Sequence, residues 1–244
     1  IDEDQRVTIK DIGTRQEIEK WANKESAELI TLELESQFRC NGSDGYLAWL
    51  DNFLGIRTTA NTDLKDINYD FQVIDDPNLL RDKIRRYNSV NNRARLVAGY
   101  CWPWNSKKNK KGMDIVMPEF NFGMQWNLTE DGMLWIISPD SVEQVGCIHT
   151  CQGLEVDYIG VIIGDDLVIR NGQWVCQSGK RARSDKSVHG LKKLIKENPA
   201  AGNEMAELII KNTYRTLMTR GMKGCLVFSS DAETRMWLSV LKIS

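Results

Sequence analysis

No stretch of the 244 residues approaches the roughly 20 consecutive apolar residues that span a bilayer. The opening, "IDEDQRVTIK", is acidic and lacks the basic and apolar regions of a secretory signal. Together these absences exclude a membrane span of the usual kind and point to the cytoplasm. The six cysteines, Cys40, Cys101, Cys147, Cys151, Cys176 and Cys225, contain no CxxC pair. A disulfide scaffold is thereby excluded, and reduced thiols inside a core are expected. The formal net charge is only −2, so no global basic field advertises nucleic acid, and any such surface must be local. There is no internal repeat and no low-complexity linker. There is also no initiator methionine, which reads as a chain cut from something longer.

What is present is an ordinary globular composition, 41% hydrophobic and 27% charged, enough for one large domain or two small ones. Along it, strand-like and helix-like segments alternate. "ELITLEL" (28–34) reads as a strand and "GSDGYLAWLDNFLG" (42–55) as a helix closed by glycine. "YDFQVI" (69–74) is a short strand. "DPNLLRDKIRRYN" (76–88) is a helix, with Asp76 to cap it, Pro77 in its first turn and an apolar stripe of Leu79, Leu80, Ile84 and Tyr87. "RARLVAGY" (93–100) is a strand, "MDIVM" and "FGMQWNL" a small β excursion, and "VGCIHT" and "DYIGVIIG" strands. "LVIRNGQWVC" (167–176) is a hairpin turning at Asn171-Gly172. "SVHGLKKLIKEN" and "GNEMAELIIKNTYRTLMTRG" are helices, "KGCLVF" a strand, and "DAETRMWLSVL" a closing helix capped by Asp231. Such alternation predicts an α/β fold, a mainly parallel sheet with helices on both faces.

Four polar stretches stand at the ends of these segments. "IDEDQR" opens the chain, "LELESQFRCNG" spans 32–42, "HTCQGLEVDYIGVII" begins at His149, and "NTYRTLMTRGMKGCLVF" spans 212–228. In order, they resemble four motifs of superfamily-one helicases: the Walker B element, the Leu-x-x-Gln-Tyr-Arg element with Phe for Tyr, motif V, and motif VI with Gly221 for alanine. Phrases such as "SQFRCNG", "AGYCWPW" and "GCIHTCQGLEVDYIGVIIG" are most similar to the bacterial family of schlafen-like DNA/RNA helicase domains, long catalogued as a domain of unknown function.

That resemblance implies a RecA-like, P-loop NTPase type of fold, with ATP and Mg²⁺ between two lobes. It implies that Asp2 holds Mg²⁺ and Glu3 activates water, and that Arg39 and Arg220 neutralise the transferring phosphoryl group. Gln37, Gly153, Glu155 and Lys223 would line the nucleotide, Glu155 at its sugar. His149 would face a strand of DNA or RNA. Cys147 stands where the family often has Thr. No Gly-x-x-x-x-Gly-Lys-[Ser/Thr] occurs in these residues. The resemblance therefore implies a second RecA-like lobe over 29–244, with residues 1–28 as the tail of a first lobe that carries the P-loop elsewhere. β insertions are expected around 113–127 and 165–186. Arg39, Arg220 and Glu155 are expected together at an open cleft, at the carboxyl ends of the parallel strands.

Two further segments are basic. "GYCWPWNSKKNKKG" (99–112) sets Trp102 and Trp104 beside Lys107, Lys108, Lys110 and Lys111, which suits stacking on bases and pairing with phosphates of a single strand. "GKRARSDK" (179–186) lies in the second insertion, with no role implied. Two rival classes stand beside an ATP-dependent helicase or translocase. One is a helicase-like module that binds nucleic acid or protein without hydrolysis. The other is a zinc-stabilised structural domain: on a strand, Cys147, His149 and Cys151 would share a face and supply three ligands of the four required.

Overall fold

The computed structural model describes residues 6–9, 11, 14–31, 40, 43–107, 109–127, 132–151 and 155–240. In chain order the strands are Asp70–Val73 (β1), Ala94–Ala98 (β2), Ile115–Met117 (β3), Phe122–Trp126 (β4), Gln144–Gly146 (β5), Val156–Ile163 (β6), Leu167–Arg170 (β7), Gln173–Cys176 (β8) and Gly221–Ser229 (β9). Among the described residues, seven of them form one sheet in the order β1-β9-β6-β2-β5-β4-β3. Every neighbouring pair in it is parallel except β3 with β4. β7 and β8 form a separate antiparallel hairpin, turning at Asn171 and Gly172, both at positive φ. The fold is α/β with the layout of a RecA-like lobe. Residues 28–31 carry no strand, and the rest of the strand expected at 28–34 lies outside the described residues.

The helices are Arg15–Lys24 (α1), Asp44–Phe53 (α2), Pro77–Asn91 (α3), Ile148–Cys151 (α4), Leu191–Glu197 (α5), Pro199–Met218 (α6) and Ala232–Val240 (α7). Local chemistry sets their ends. Asp76 accepts from the Asn78 N–H at 2.7 Å to start α3, and Asn92 stops it in the left-handed region at φ 57°. Asn198 accepts from the Ala201 N–H to start α6, with Pro199 in the first turn. None of the described helices is long and apolar enough to cross a membrane.

The central strands feed two cores by simple alternation. Val97, Ile159, Val161, Ile163, Cys225 and Val227 pack on one face, against α2 and α6. Leu96, Ala98, Ile162, Leu226 and Phe228 pack on the other, against Leu80 and Ile84 of α3. Each such fully buried aliphatic side chain contributes roughly 1.5–3 kcal/mol of apolar burial. The segment expected as a small β excursion is part of this structure: β4 joins the main sheet parallel to β5, and Trp126 is fully buried.

Two ends of this sheet differ in character. β2 and β6 are neighbours, yet the chain leaves β2 toward β3 at one edge and leaves β6 toward β9 on the other side. Such a switch point opens a crevice at the carboxyl ends of the strands, the usual ligand seat in sheets of this kind. Here part of the crevice is filled from within. The Tyr214 hydroxyl accepts from the Gly164 N–H at 2.9 Å and donates to Asp166. A Cβ at residue 99 would stand 1.9 Å from that hydroxyl, so glycine there is what admits the ring.

Candidate nucleotide rim and nucleic-acid end

Glu155 and Arg220 immediately precede β6 and β9, so both stand at the amino ends of the strands. The Val156 N–H donates to the Arg220 carbonyl at 2.9 Å, which places the two residues side by side. Their predicted grouping is present, but at the opposite end of the sheet from the one expected. The reason lies in the connections: Glu155 and Arg220 stand where the chain enters their strands, whereas the switch-point crevice lies where strands are left. Cys40, the neighbour of Arg39, sends its thiol to the Thr219 carbonyl at 3.8 Å and so joins the same turn. Arg39, Gln37, Gly153, Asp2 and Glu3 lie outside the described residues.

The turn that carries Arg220 is held from several sides. Tyr46 donates to the Met218 carbonyl at 3.2 Å, and Tyr69 donates to the Gly221 carbonyl at 2.9 Å. The two rings stack with centroids 3.7 Å apart. Beyond the turn, Val156 pairs with Gly221 and Tyr158 with Gly224, so two residues of β9 oppose one of β6. This bulge turns Lys223 toward Asp157. A Cβ on residue 221 would meet the Gly224 carbonyl oxygen at 2.1 Å, which explains glycine where the related motif has alanine.

Arg220 does not face an open cleft. It is 2% exposed, and its Nε donates to the Thr216 carbonyl at 3.0 Å. Glu155, by contrast, is exposed. Lys223 is drawn to Asp157, at 2.7 Å, together with Arg93 at 2.8 Å and Asn91 at 3.0 Å. Burial alone would raise the Asp157 carboxyl, but the donors Lys223, Asn91 and Arg93 together hold it below the usual range. The residues that the resemblance sets around a nucleotide are thus unequally placed. Glu155 is free to accept from sugar hydroxyls, while the Lys223 ammonium is already engaged. No group of three or more His, Cys, Asp or Glu among the described residues could hold a metal ion.

At the carboxyl end lies a second polar centre that the sequence did not reveal. The Arg181 guanidinium, fully buried, donates to Asp166 at 2.8 Å through Nε, and through Nη1 to Asp185 at 2.8 Å and Ser187 at 2.7 Å. Burial opposes its charge, and Asp166 and Asp185 more than offset that, holding the guanidinium firmly protonated. The other oxygen of Asp185 faces His149 Nε2 at 3.5 Å. His149 thus lies against Asp185, in the segment 178–187.

The zinc geometry is corrected here as well. Thr150 accepts from the Cys147 N–H at 2.9 Å and bends residues 148–151 into a helical turn. Cys147 and Cys151 are then buried while His149 is exposed, so the three do not share a strand face.

The aromatic-basic loop leaves the end of β2 as expected. Trp102 and Trp104 are half-buried against the core. Lys107 already covers the Trp104 ring, its Nζ 3.8 Å from the centroid. Lys110 and Lys111 are exposed, and Lys108 lies outside the described residues. Arg95 in β2 was also missed by sequence reasoning. Fully buried, it donates to Ser141, Asn92 and the Ser138 carbonyl, and burial brings its pKa down to about 10.

Comparison with known proteins follows this geometry. A family model described as "Schlafen group 3, DNA/RNA helicase domain" matches residues 1–231. The chain is 24% identical over 216 residues to the protein printed as "Uncharacterized protein YPL245W" of Saccharomyces cerevisiae, a match that covers 83% of this chain and 46% of that protein. The chain thus spans about half the length of that curated relative. No solved structure matches it.

Proposed function

As the chain belongs to the schlafen group 3 DNA/RNA helicase domain family, we propose that it is the second lobe of an ATP-dependent helicase-type ATPase acting on DNA or RNA. The observation that carries this reading is the juxtaposition of Glu155 and Arg220 through the 2.9 Å Val156–Arg220 bond. The two residues stand at the amino ends of the central strands, while the protein's own Tyr214 and Asp166 occupy part of the carboxyl-end crevice. Glu155 would orient the sugar of ATP. Arg220, with Arg39, would meet the charge that builds on the transferring phosphoryl group. Arg220 must first leave the Thr216 carbonyl, so closure of a partner lobe would be coupled to its release. Asp2 and Glu3, in a tail formed by residues 1–28, would hold Mg²⁺ and align water. The ion's part in such chemistry is to neutralise phosphate charge. The P-loop would come from a lobe outside these 244 residues.

One observation favours a second reading. Arg220 is enclosed and already bonded, as suits a helicase-like module that grips nucleic acid without hydrolysis. ATP turnover by the full-length protein, measured with and without single-stranded DNA or RNA, separates the two. The ATPase reading expects turnover that falls about a thousandfold in Arg220→Ala. Unchanged turnover in that variant removes Arg220 from the reaction. No turnover at all, with nucleic acid still bound, establishes the second reading.

A further inference from the structure

The two basic segments, 99–112 and 179–186, are separated by 66 residues of sequence, yet they meet in space. The Ala182 N–H donates to the Tyr100 carbonyl at 2.9 Å, and Ser184 donates to the Tyr100 hydroxyl at 3.2 Å. Trp102 and Lys180 line one small cavity of about 240 Å³, with Asp165, Glu119 and Ser230 also on its wall. The insertion is therefore laid against the aromatic loop, over the carboxyl end of the sheet.

Its charge is sorted by burial. Arg181 points inward and neutralises Asp166 and Asp185, so neither acid reaches the surface. Lys180, Arg183 and Lys186 are exposed, and among the described residues their side chains form no ion pair or hydrogen bond. Lys107, Lys110 and Lys111, on the aromatic loop, are exposed as well. A chain of net charge −2 thus carries six exposed cations on these two segments, Lys107, Lys110, Lys111, Lys180, Arg183 and Lys186. The acids that oppose them there are Asp165 and Glu119. Both line the cavity, so a phosphate is unwelcome inside it, whereas a base edge carrying N–H donors is not.

We propose that the insertion at 178–187 and the loop at 99–112 form the two walls of one single-strand binding surface, on which Lys180, Arg183 and Lys186 pair with phosphates and the Trp102 cavity receives a base. The ligand class is single-stranded nucleic acid, DNA or RNA, recognised by backbone charge and one aromatic contact. This rests on the nucleic-acid half of the function proposed above and adds to it a wall that the motifs do not supply.

The test uses the 244-residue chain and fluorescein-labelled 20-mers of deoxythymidylate and of uridylate, with anisotropy read across a range of salt. Each phosphate contact on a single strand contributes about 0.7 to the slope of log affinity against log salt. The triple variant Lys180→Ser, Arg183→Ser, Lys186→Ser should bind at least tenfold more weakly at low salt, with its slope reduced by about two. Trp102→Ala should bind about tenfold more weakly with the slope kept. If the triple variant keeps the parent's affinity and slope while the parent binds, the insertion is no part of the surface and the proposal is overturned, with the nucleic-acid reading intact. If the parent chain binds neither probe, the nucleic-acid reading itself has failed. Circular dichroism and the urea midpoint of each variant establish that its fold is kept.

Discussion

The hydroxyl of Tyr69 donates to the carbonyl of Gly221 at 2.9 Å, tying the approach to β1 directly to the residue after Arg220. Tyr46, stacked on Tyr69, holds Met218 on the other side of the same arginine. Removal of either hydroxyl leaves a buried carbonyl short of a donor. Tyr69→Phe should cost about 1 kcal/mol, and Tyr46→Phe about the same, by urea denaturation. Because the rings touch and serve one turn, the double variant should depart from the sum by about 0.5 kcal/mol or more. Simple additivity would mean that the two tyrosines act on separate parts of the structure.

Gly221→Ala introduces the residue of the motif that this stretch resembles, yet it should destabilise this chain. The new Cβ would lie 2.1 Å from the Gly224 carbonyl oxygen, and a backbone atom in a paired strand has little room to move. A loss of about 1–3 kcal/mol is expected, read as a lower urea midpoint. A midpoint equal to the parent's would show that the bulge at Met222 and Lys223 relaxes freely.

Arg181→Met should be the most damaging of these substitutions. It removes the cation shared by Asp166 and Asp185, both fully buried. Taking away one side of a buried ion pair costs about 3–5 kcal/mol, because the remaining charge has nowhere to go. Adding Asp185→Asn should recover part of that loss. If the double variant is no more stable than Arg181→Met alone, uncompensated charge is not the cause.

Asp231 makes the chain's stability depend on acid in a defined direction. Arg170 donates to both of its oxygens, at 2.9 and 2.8 Å, and Thr234 adds two more donors from the start of α7. The hydrogen bonds from Arg170 are the largest cause of a carboxyl held well below its usual range. A carboxyl depressed on folding stabilises the protein above its unfolded value of about 3.9, and that stability is lost as pH falls through the folded value. Arg170→Gln should therefore melt lower than the parent at pH 5 to 7. The gap should close as both proteins are taken below about pH 3. A gap that widens in acid would contradict this assignment.

The elements with local signals were legible in the sequence. Asp76 and Pro77 announced α3, Asn171-Gly172 announced the β7–β8 hairpin, and Asp231 announced α7. Glu155 and Arg220 come side by side because each directly precedes a neighbouring parallel strand, but at the amino ends and not at the open carboxyl-end cleft that the resemblance implied. What failed did so for want of long-range information. "GKRARSDK" reads as uniformly basic surface, and nothing in eight residues says that Arg181 turns inward to Asp166 while Lys180 and Arg183 stay outside. Arg95 sits within an apolar strand, and its partners Ser138 and Ser141 come from more than 40 residues away. The strand expected through Cys147 and His149 was cut short by one side-chain bond from Thr150, a competition that hydropathy does not register.

β6 is a buried rod between the two ends. From Val156, beside the Arg220 turn, it runs eight residues to Ile163, next to the Gly164 that Tyr214 holds, a length of about 25 Å. After Asp157 and Tyr158 its side chains are all apolar or absent, and all are buried. No chain of hydrogen-bonding side chains along β6 links its ends, and a hydrogen-bonded strand locked between β2 and β9 does not shorten. An event at the amino rim can then reach the carboxyl-end surface along this path only as a tilt or slide of the strand with its neighbours.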